Sequence, residues 1–250
     1  MENIVPIREN KESKAIKEFA RFAHQYDTYN VIQSEVAKRL VSKLPIKKYD
    51  CIVDIGCGNG EVYKNIKKSK IGYLKYIALD SSLEMLSLHP TSPNIKKMIV
   101  NFNHEKIFED LDVQEKTLFL SSSALQWSKN LDITFSQLSQ QVTKSYFSIF
   151  TANTFRTLHK TAGIKSPIYS EKVLKEMIQK YYHADFELVE YKLEFNTIRE
   201  MFKYIKKSGV SGGEKRLGYK EMKVLMDLYP LDYLEFEVLF VEATSLAKSK

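Results

Sequence analysis

The feature that most constrains the fold is a glycine-rich segment directly after an apolar run. Residues 51–55 are apolar apart from Asp54, and the next five residues contain three of the chain's nine glycines, Gly56, Gly58 and Gly60. Glycine lets the backbone turn tightly at the end of a buried strand and approach a ligand at the start of the next helix. The segment therefore predicts a buried strand, a turn that can hold a ligand, and a helix.

The charges around this turn limit the ligand. A dinucleotide fingerprint has glycine at the sixth position of G-x-G-x-x-G, whereas this chain has Glu61 there. An anion at a helix start, together with Asp54, would repel a pyrophosphate. The turn instead suits a ligand with positive charge near the strand end, such as the amino group and sulfonium of S-adenosylmethionine.

A second acidic residue follows the next apolar run. Asp80 ends that run twenty residues after Gly60, at the position from which a carboxylate accepts both hydroxyls of a ribose. Ser81 and Glu84 have the spacing of a capping box, so we expect a helix to begin there.

Apolar runs alternate with helical patterns up to residue 152. The predicted strands are 51–55, 76–79, 98–100, 117–120 and 145–151. Because helical stretches separate them, these strands predict a parallel sheet with helices on both faces. Two amphipathic helices are predicted before Pro45. Beyond residue 152 the pattern predicts a helical region at 155–182, a strand at 186–195, a helix capped by Thr197 and a last strand at 234–241.

We therefore expect one α/β domain over residues 1–250, with a doubly wound, mostly parallel sheet of seven strands. Residues 1–44 would form N-terminal lid helices, 45–152 the cofactor-binding half, and 153–250 the substrate-side helices and last strands, ending in an antiparallel edge strand.

Composition excludes several protein classes. With 44% hydrophobic and 28% charged residues, the chain is not a disordered protein, a collagen-like repeat or a disulfide scaffold. No apolar run approaches the roughly 18 to 20 residues of a membrane span, and residues 1–14 are polar, so we expect a cytoplasmic protein with no membrane partner. Cys51 and Cys57 lack metal-site spacing, which predicts buried thiols and no metal.

The acidic residues and glycines resemble the cofactor motifs of class I S-adenosylmethionine-dependent methyltransferases over about residues 45–152. In that family the glycine loop holds the methionyl part, the acid of the second strand holds the ribose, and a residue after the next strand meets the adenine amine, where this chain has Asn101. The resemblance implies S-adenosylmethionine as cofactor. The implied cofactor-binding residues are Tyr26, Gln33, Asp54, Gly56, Cys57, Gly58, Asn59, Gly60, Asp80, Ser81, Asn101, Phe102 and Ser121.

Residues 121–127, Ser-Ser-Ser-Ala-Leu-Gln-Trp, resemble the Ser-Asn-x-Ala-x-Gln-Trp of malonyl-acyl carrier protein O-methyltransferases of biotin synthesis, with Ser122 in place of Asn. Residues 19–33 and 202–210 also resemble that family. The resemblance implies methyl transfer to the free carboxylate of a malonyl group on an acyl carrier protein. The implied substrate-binding residues are Arg21, Tyr26, Gln126, Trp127, Phe155, Arg156 and His159; Arg21 or Arg156 would grip the carboxylate, and Lys203, Lys206 and Lys207 would dock the carrier.

No catalytic residue is expected for this reaction. A carboxylate with a reference pKa near 4 is already an anion at neutral pH, so positioning replaces proton transfer. Two other acceptors stay open: a small free molecule, such as an organic acid or quinone, and an RNA bound by the basic surface of this chain, whose net charge is +7. Only six arginines and no added RNA-binding module argue against a nucleic acid, and we expect a monomer.

Overall fold

The structure is a computed structural model that describes residues 4–6, 29–104, 108, 111, 116–207 and 217–247. The strands are β1 (Ile4–Pro6), β2 (Lys48–Ile55), β3 (Gly72–Asp80), β4 (Ile95–Ile99), β5 (Thr117–Ser122), β6 (Lys144–Phe150), β7 (Tyr182–Glu194) and β8 (Tyr233–Ser245). The helices are α1 (Val31–Ser42), α2 (Glu61–Lys68), α3 (Leu83–Leu88), α4 (Leu131–Gln141), α5 (Arg156–Thr161), α6 (Glu171–Gln179), α7 (Ile198–Lys207) and α8 (Tyr219–Leu228), with a short 3₁₀ turn at Leu125–Trp127.

These strands form one sheet in the order β1-β4-β3-β2-β5-β6-β8-β7. The strands from β1 to β6 pair in parallel, and β8 pairs antiparallel with both β6 and β7. Because β3 and β5 lie on opposite sides of β2, the strand order reverses at β2. In open α/β sheets a ligand binds at the carboxyl end of the strands at such a reversal.

The doubly wound, mostly parallel fold is confirmed. The sheet differs from the expected one by an added strand and by the order of its last two strands. The three residues of β1 pair with β4 and add a strand at one edge. At the other edge the C-terminal strand β8 lies between β6 and β7, so β7 forms the edge that was expected of the last strand. The antiparallel pair as a whole does lie at that side of the sheet.

Helices bury both faces of the central strands, as the apolar runs predict, whereas many residues of the edge strand β7 are exposed. On one face α1, α2, α7 and α8 contribute to a core around Ile52, Tyr76 and Leu120. On the other face α4 and α6 cover Val53, Phe119 and neighbouring apolar residues. No described helix is long and apolar enough to cross a membrane.

The structure refines one local prediction and corrects another. The helical region predicted at 155–182 contains two helices, because Gly163 ends the first in a left-handed conformation with φ of 64°. The cap of α3 is Ser82, whose hydroxyl accepts from the Met85 N–H, and not Ser81. The predicted cap at Thr197 is present, since its hydroxyl accepts from the Glu200 N–H. The first predicted N-terminal helix lies outside the described residues.

Candidate functional site

The glycine loop turns at the carboxyl end of β2, and its path needs glycine. Gly56 and Gly60 have φ of 70° and 86°, values that favour glycine. A Cβ on Gly56 would lie 2.3 Å from the Ala124 Cβ, and a Cβ on Gly60 would lie 2.7 Å from the Pro90 Cδ. The loop is therefore clamped between the segment after β5 and the segment after α3.

The Asp80 carboxylate joins this loop to the end of β3. The Gly58 N–H donates to its Oδ2 at 2.8 Å, and the Ser82 N–H donates to its Oδ1 at 2.9 Å. Burial raises the pKa of Asp80, while these backbone donors and the Ser81 N–H lower it. Each oxygen keeps a further lone pair, so the carboxylate can still accept from a ligand hydroxyl.

Asp54 lies under the loop and is fully buried. The Tyr76 hydroxyl donates to its Oδ2 at 2.8 Å, and its Oδ1 has no hydrogen-bond partner among the described residues. Burial raises the pKa of Asp54 to about 7; the Tyr76 hydrogen bond lowers it and the charge of Asp80 raises it. A buried acceptor without a donor is costly, so this oxygen fits a cationic ligand group.

Other buried side-chain atoms on the segments around the loop lack a partner among the described residues, and His89 Nε2 on the segment after α3 is one of them. The described residues offer no hydrogen-bond partner to the side-chain oxygens of Gln33 and Gln126 or to the Ser123 hydroxyl. The Gln126 amide is oriented by its Nε2, which donates to the Ser123 carbonyl at 2.7 Å. Ser123 itself has φ of 58°, so the backbone turns sharply after β5.

Gln33 is held near the loop by a contact that the sequence did not reveal. The Ser34 hydroxyl donates to the Glu61 Oε2 at 2.8 Å, which joins α1 to the start of α2. Asn59, which is buried in the loop, donates from its Nδ2 to the other Glu61 oxygen at 3.4 Å. The acid at the sixth position of the glycine pattern thus links the loop to the N-terminal side of the fold.

Other predicted cofactor residues lie at the strand ends. The Ser121 hydroxyl is buried and donates to the Ile55 carbonyl at 2.8 Å, which ties β5 to β2. The Asn101 Oδ1 accepts from the N–H and the side-chain amide of Asn103, both at 3.0 Å, so an adenine amine would compete with them. Phe102 packs against the core covered by α4 and α6.

Cys57 completes the loop as a buried thiol. Burial raises its pKa well above the ordinary value, and the nearby carboxylates of Asp80 and Asp54 raise it further. Since the thiolate is the reactive form, this environment argues against a nucleophilic cysteine. The described residues contain no cluster of histidines, cysteines and acids that could hold a metal ion.

The predicted substrate residues lie on the same side of the sheet. Phe155, which follows β6, has φ of 59° and packs its ring 5.0 Å from that of Phe236. The His159 ring lies 6.4 Å from the Phe155 ring, and Trp127 is half-buried in the 3₁₀ turn after β5. Arg21 and Tyr26 lie outside the described residues.

Arg156 is already paired. Its Nη1 lies 2.6 Å from the Glu190 Oε1, and its Nε lies 3.1 Å from the Glu235 Oε1. Glu235 also accepts from the N–H and the hydroxyl of Thr157, at 3.0 and 2.9 Å. A substrate carboxylate would have to displace one of these acids to reach the guanidinium.

The three lysines predicted to dock a carrier lie on α7. Lys203 and Lys206 are exposed, and the Lys207 Nζ lies 5.3 Å from the centroid of the Tyr29 ring. Tyr29 also lies 6.2 Å from the Tyr204 ring, so α7 packs beside the chain that leads into α1. The lysines therefore border the N-terminal side of the fold.

Comparison with known proteins supports the resemblance seen in the motifs. The chain is 32% identical over 113 residues to a malonyl-[acyl-carrier protein] O-methyltransferase of Marinomonas sp., a match that covers 44% of this chain and 41% of that protein. A protein of the same name from Priestia megaterium is 28% identical over 230 residues, which cover 80% of this chain and 81% of that one. The predicted resemblance to these enzymes is thus confirmed. No protein-family model matches the chain.

Other relatives carry different names. A trans-aconitate 2-methyltransferase of Deinococcus radiodurans is 30% identical over 109 residues, covering 41% of this chain and 38% of that protein. An arginine-hydroxylase of Dictyostelium discoideum is 27% identical over 180 residues, covering 64% of this chain and 36% of that protein.

Solved structures share the fold. The YcgJ protein of Bacillus subtilis has a TM-score of 0.60 and 9% identity, covering 84% of this chain and 97% of that one. A phosphoethanolamine N-methyltransferase 2 of Haemonchus contortus, solved with S-adenosyl-L-methionine, has a TM-score of 0.53 and 13% identity, covering 89% of this chain and 56% of that one. The chain thus has the Rossmann-like fold of methyltransferases.

Proposed function

We propose that this protein is an S-adenosylmethionine-dependent methyltransferase that esterifies the free carboxylate of a malonyl group on an acyl carrier protein. The observation that carries the cofactor assignment is the pair of carboxylates at the reversal of the sheet. Asp54 keeps an oxygen without a donor among the described residues, and Asp80 accepts from the Gly58 N–H of the glycine loop. The relatives named malonyl-[acyl-carrier protein] O-methyltransferase support the acceptor.

The residues present fit this cofactor. It would supply an activated methyl group and a cationic amino group, and the buried acids carry the opposite charge. Asp54 would accept from the amino group and Asp80 from the ribose hydroxyls. Among the described residues the side-chain oxygens of Gln33 and Gln126 have no donor, so they offer further acceptors on α1 and on the segment after β5.

The chain's part in methyl transfer is positioning. The malonyl carboxylate needs no base, because it is ionised at neutral pH. The described groups nearest the loop suit that chemistry, since burial holds the Cys57 thiol protonated and lowers the pKa of His89 to about 4. Holding the carboxylate and excluding water would supply the rate enhancement.

The proposal includes a single domain that acts as a monomer in the cytoplasm. Residues 45–152 would bind the cofactor, and residues 153–250 would lie on the substrate side. Lys203, Lys206 and Lys207 would meet an acidic carrier surface, because exposed lysines attract acidic partners without fixing their geometry.

The test is methyl transfer measured by mass spectrometry with malonyl-carrier protein, malonyl-CoA, free malonate, trans-aconitate and bulk tRNA as separate acceptors. We expect malonyl-carrier protein to gain the mass of one methylene and the gain to disappear with acetyl-carrier protein, which lacks the free carboxylate. Methylation of a free acid alone would replace the carrier assignment with the small-molecule alternative, which the trans-aconitate 2-methyltransferase relative favours. Methylation of the RNA alone would assign the basic surface to nucleic acid. Failure to bind S-adenosylmethionine in calorimetry would refute the whole proposal.

A further inference from the structure

Asp54 has an unusual hydrogen-bond balance for a buried acid. It is fully buried, accepts one hydrogen bond from the Tyr76 hydroxyl through Oδ2, and leaves Oδ1 without a partner among the described residues. The loop N–H groups nearest in sequence are used elsewhere, since those of Gly56 and Cys57 both donate to the Leu79 carbonyl. The Tyr76 hydroxyl thus holds Oδ2, whereas Oδ1 accepts no hydrogen bond from the described residues.

The Tyr76 ring is held by its neighbours. Its centroid lies 5.1 Å from the Tyr63 ring, 5.7 Å from the Tyr73 ring and 6.1 Å from the His89 ring. Tyr76 is itself fully buried. Because the ring is packed on several sides, its hydroxyl has a fixed position beneath the glycine loop.

We propose that Tyr76 is a positioning residue for cofactor binding: its hydroxyl donates to Asp54 Oδ2, which favours the carboxylate over the neutral acid and aims Oδ1 at the cationic amino group. This inference rests on the proposed function, and it assigns a residue that the glycine motif does not contain. Tyr76 acts through Asp54 and does not itself touch the cofactor.

The charges around Asp54 give the inference a pH signature. Three titratable groups face Asp54: Tyr76 and Asp80 from β3, and Cys57 from the loop. The rings of His89, Tyr63 and Tyr73 lie behind Tyr76. The charge of Lys97 on β4 lowers the pKa of both Cys57 and His89. Burial and Asp80 raise the pKa of Asp54, and the Tyr76 hydroxyl lowers it. Removing that hydroxyl therefore keeps the carboxyl neutral to a higher pH.

The decisive comparison is Tyr76→Phe with Tyr73→Phe as the matched control. Both variants remove one hydroxyl from the same aromatic cluster, but the Tyr73 hydroxyl donates to the Tyr63 hydroxyl at 3.4 Å and does not bond to Asp54. Calorimetry would measure S-adenosylhomocysteine affinity between about pH 6 and about pH 9, and thermal melting would check the fold. Both Kd series use the full chain.

We expect Tyr76→Phe to bind about fivefold more weakly than the wild type near pH 7, because its carboxyl is mostly neutral there, and to approach wild-type affinity near pH 9, where the carboxyl is ionised in both proteins. Tyr73→Phe should follow the wild type at every pH. Equal losses in the two variants, or a loss in Tyr76→Phe that does not change with pH, would overturn the inference while leaving the proposed function intact.

A second measurement follows proton release. Because the carboxyl of Tyr76→Phe stays neutral to a higher pH, binding a cationic amino group near pH 7 should release more protons from Tyr76→Phe than from the wild type. Calorimetry of both proteins in two buffers of different ionisation enthalpy measures this release. Equal release from the two proteins would overturn the inference, whereas a wild type that does not bind at all would overturn the proposed function first.

Discussion

Replacing Gly56 with alanine tests whether the clamp on the glycine loop sets cofactor affinity. Two costs can be separated from the structure. A side chain at φ of 70° costs about 1 to 2 kcal/mol for the left-handed backbone. The added Cβ also lies 2.3 Å from the Ala124 Cβ, and forcing an extra methyl group into packed surroundings costs roughly 1 to 3 kcal/mol.

The chain supplies a matched control in Gly163. It has φ of 64°, and a Cβ there would meet no atom of the described residues within 4 Å. Gly163→Ala therefore carries the backbone cost alone, and should lower Tm by a few degrees at about 2 to 4 °C per kcal/mol for a chain of this length. Gly56→Ala should lower Tm about twice as far and weaken S-adenosylmethionine binding more than tenfold, since the loop must move.

A compensating change sharpens the assay. Ala124→Gly removes the Cβ that the new methyl group would strike, and the next atom, the Ala124 Cα, lies 3.7 Å away at an ordinary contact distance. The double variant Gly56→Ala with Ala124→Gly should therefore bind the cofactor more tightly than the sum of the two single-variant losses predicts. Differential scanning fluorimetry and calorimetry measure the two quantities. Equal melting shifts in Gly56→Ala and Gly163→Ala, or no recovery in the double variant, would refute the steric argument.

Three further outcomes follow from the site. Asp80→Ala removes the acceptor of the Gly58 and Ser82 N–H groups as well as the expected ribose contact. Cofactor affinity measured by calorimetry should therefore fall about 30- to 1000-fold. Unchanged affinity would show that Asp80 does not bind the cofactor. Lys206→Glu on α7 should raise KM for malonyl-carrier protein at low salt, with little change in kcat or in KM for malonyl-CoA. The control is Lys172→Glu on α6, which lies on the opposite face of the sheet. Equal effects of the two variants would reject docking at α7. Hydrogen exchange in the first turn of α1 should slow when cofactor binds, because Gln33 lies there; equal protection with and without cofactor would show that this turn does not respond to the cofactor.

The parallel half of the fold could be predicted because local pattern and tertiary role agree there. Strands β2, β5 and β6 are mostly apolar and buried on both faces, and the glycine loop follows the first of them. The C-terminal half is different. The acids Glu235 and Glu237 predict a half-exposed β8, but both are buried. Glu235 forms an ion pair with Arg156 and accepts from Thr157. The Asn153 side-chain amide donates to both oxygens of Glu237, each at 3.1 Å. Sequence pattern cannot place β8 inside the sheet, because its partners lie some 80 residues away.

The site was predictable where backbone geometry demands a residue type, and not where a side chain merely fits. Glycines at left-handed positions and an acid after a strand are visible in sequence. Tyr76 could have been noticed only from strand alternation, which puts it on the same face as Asp80. Ser34 and His89 carry no such signal, since their roles depend on α1 and α3 packing beside the loop.

The distribution of charge across the site suits a reaction between a cation and an anion. Buried Asp54 and half-buried Asp80 lie where the sheet reverses, so this place favours a cationic ligand. The exposed lysines of α7 lie outside this region and favour an anionic partner. Methyl transfer from a sulfonium to a carboxylate removes both reacting charges, so the proposed products would lose part of the attraction that held the substrates, which favours release after each turnover.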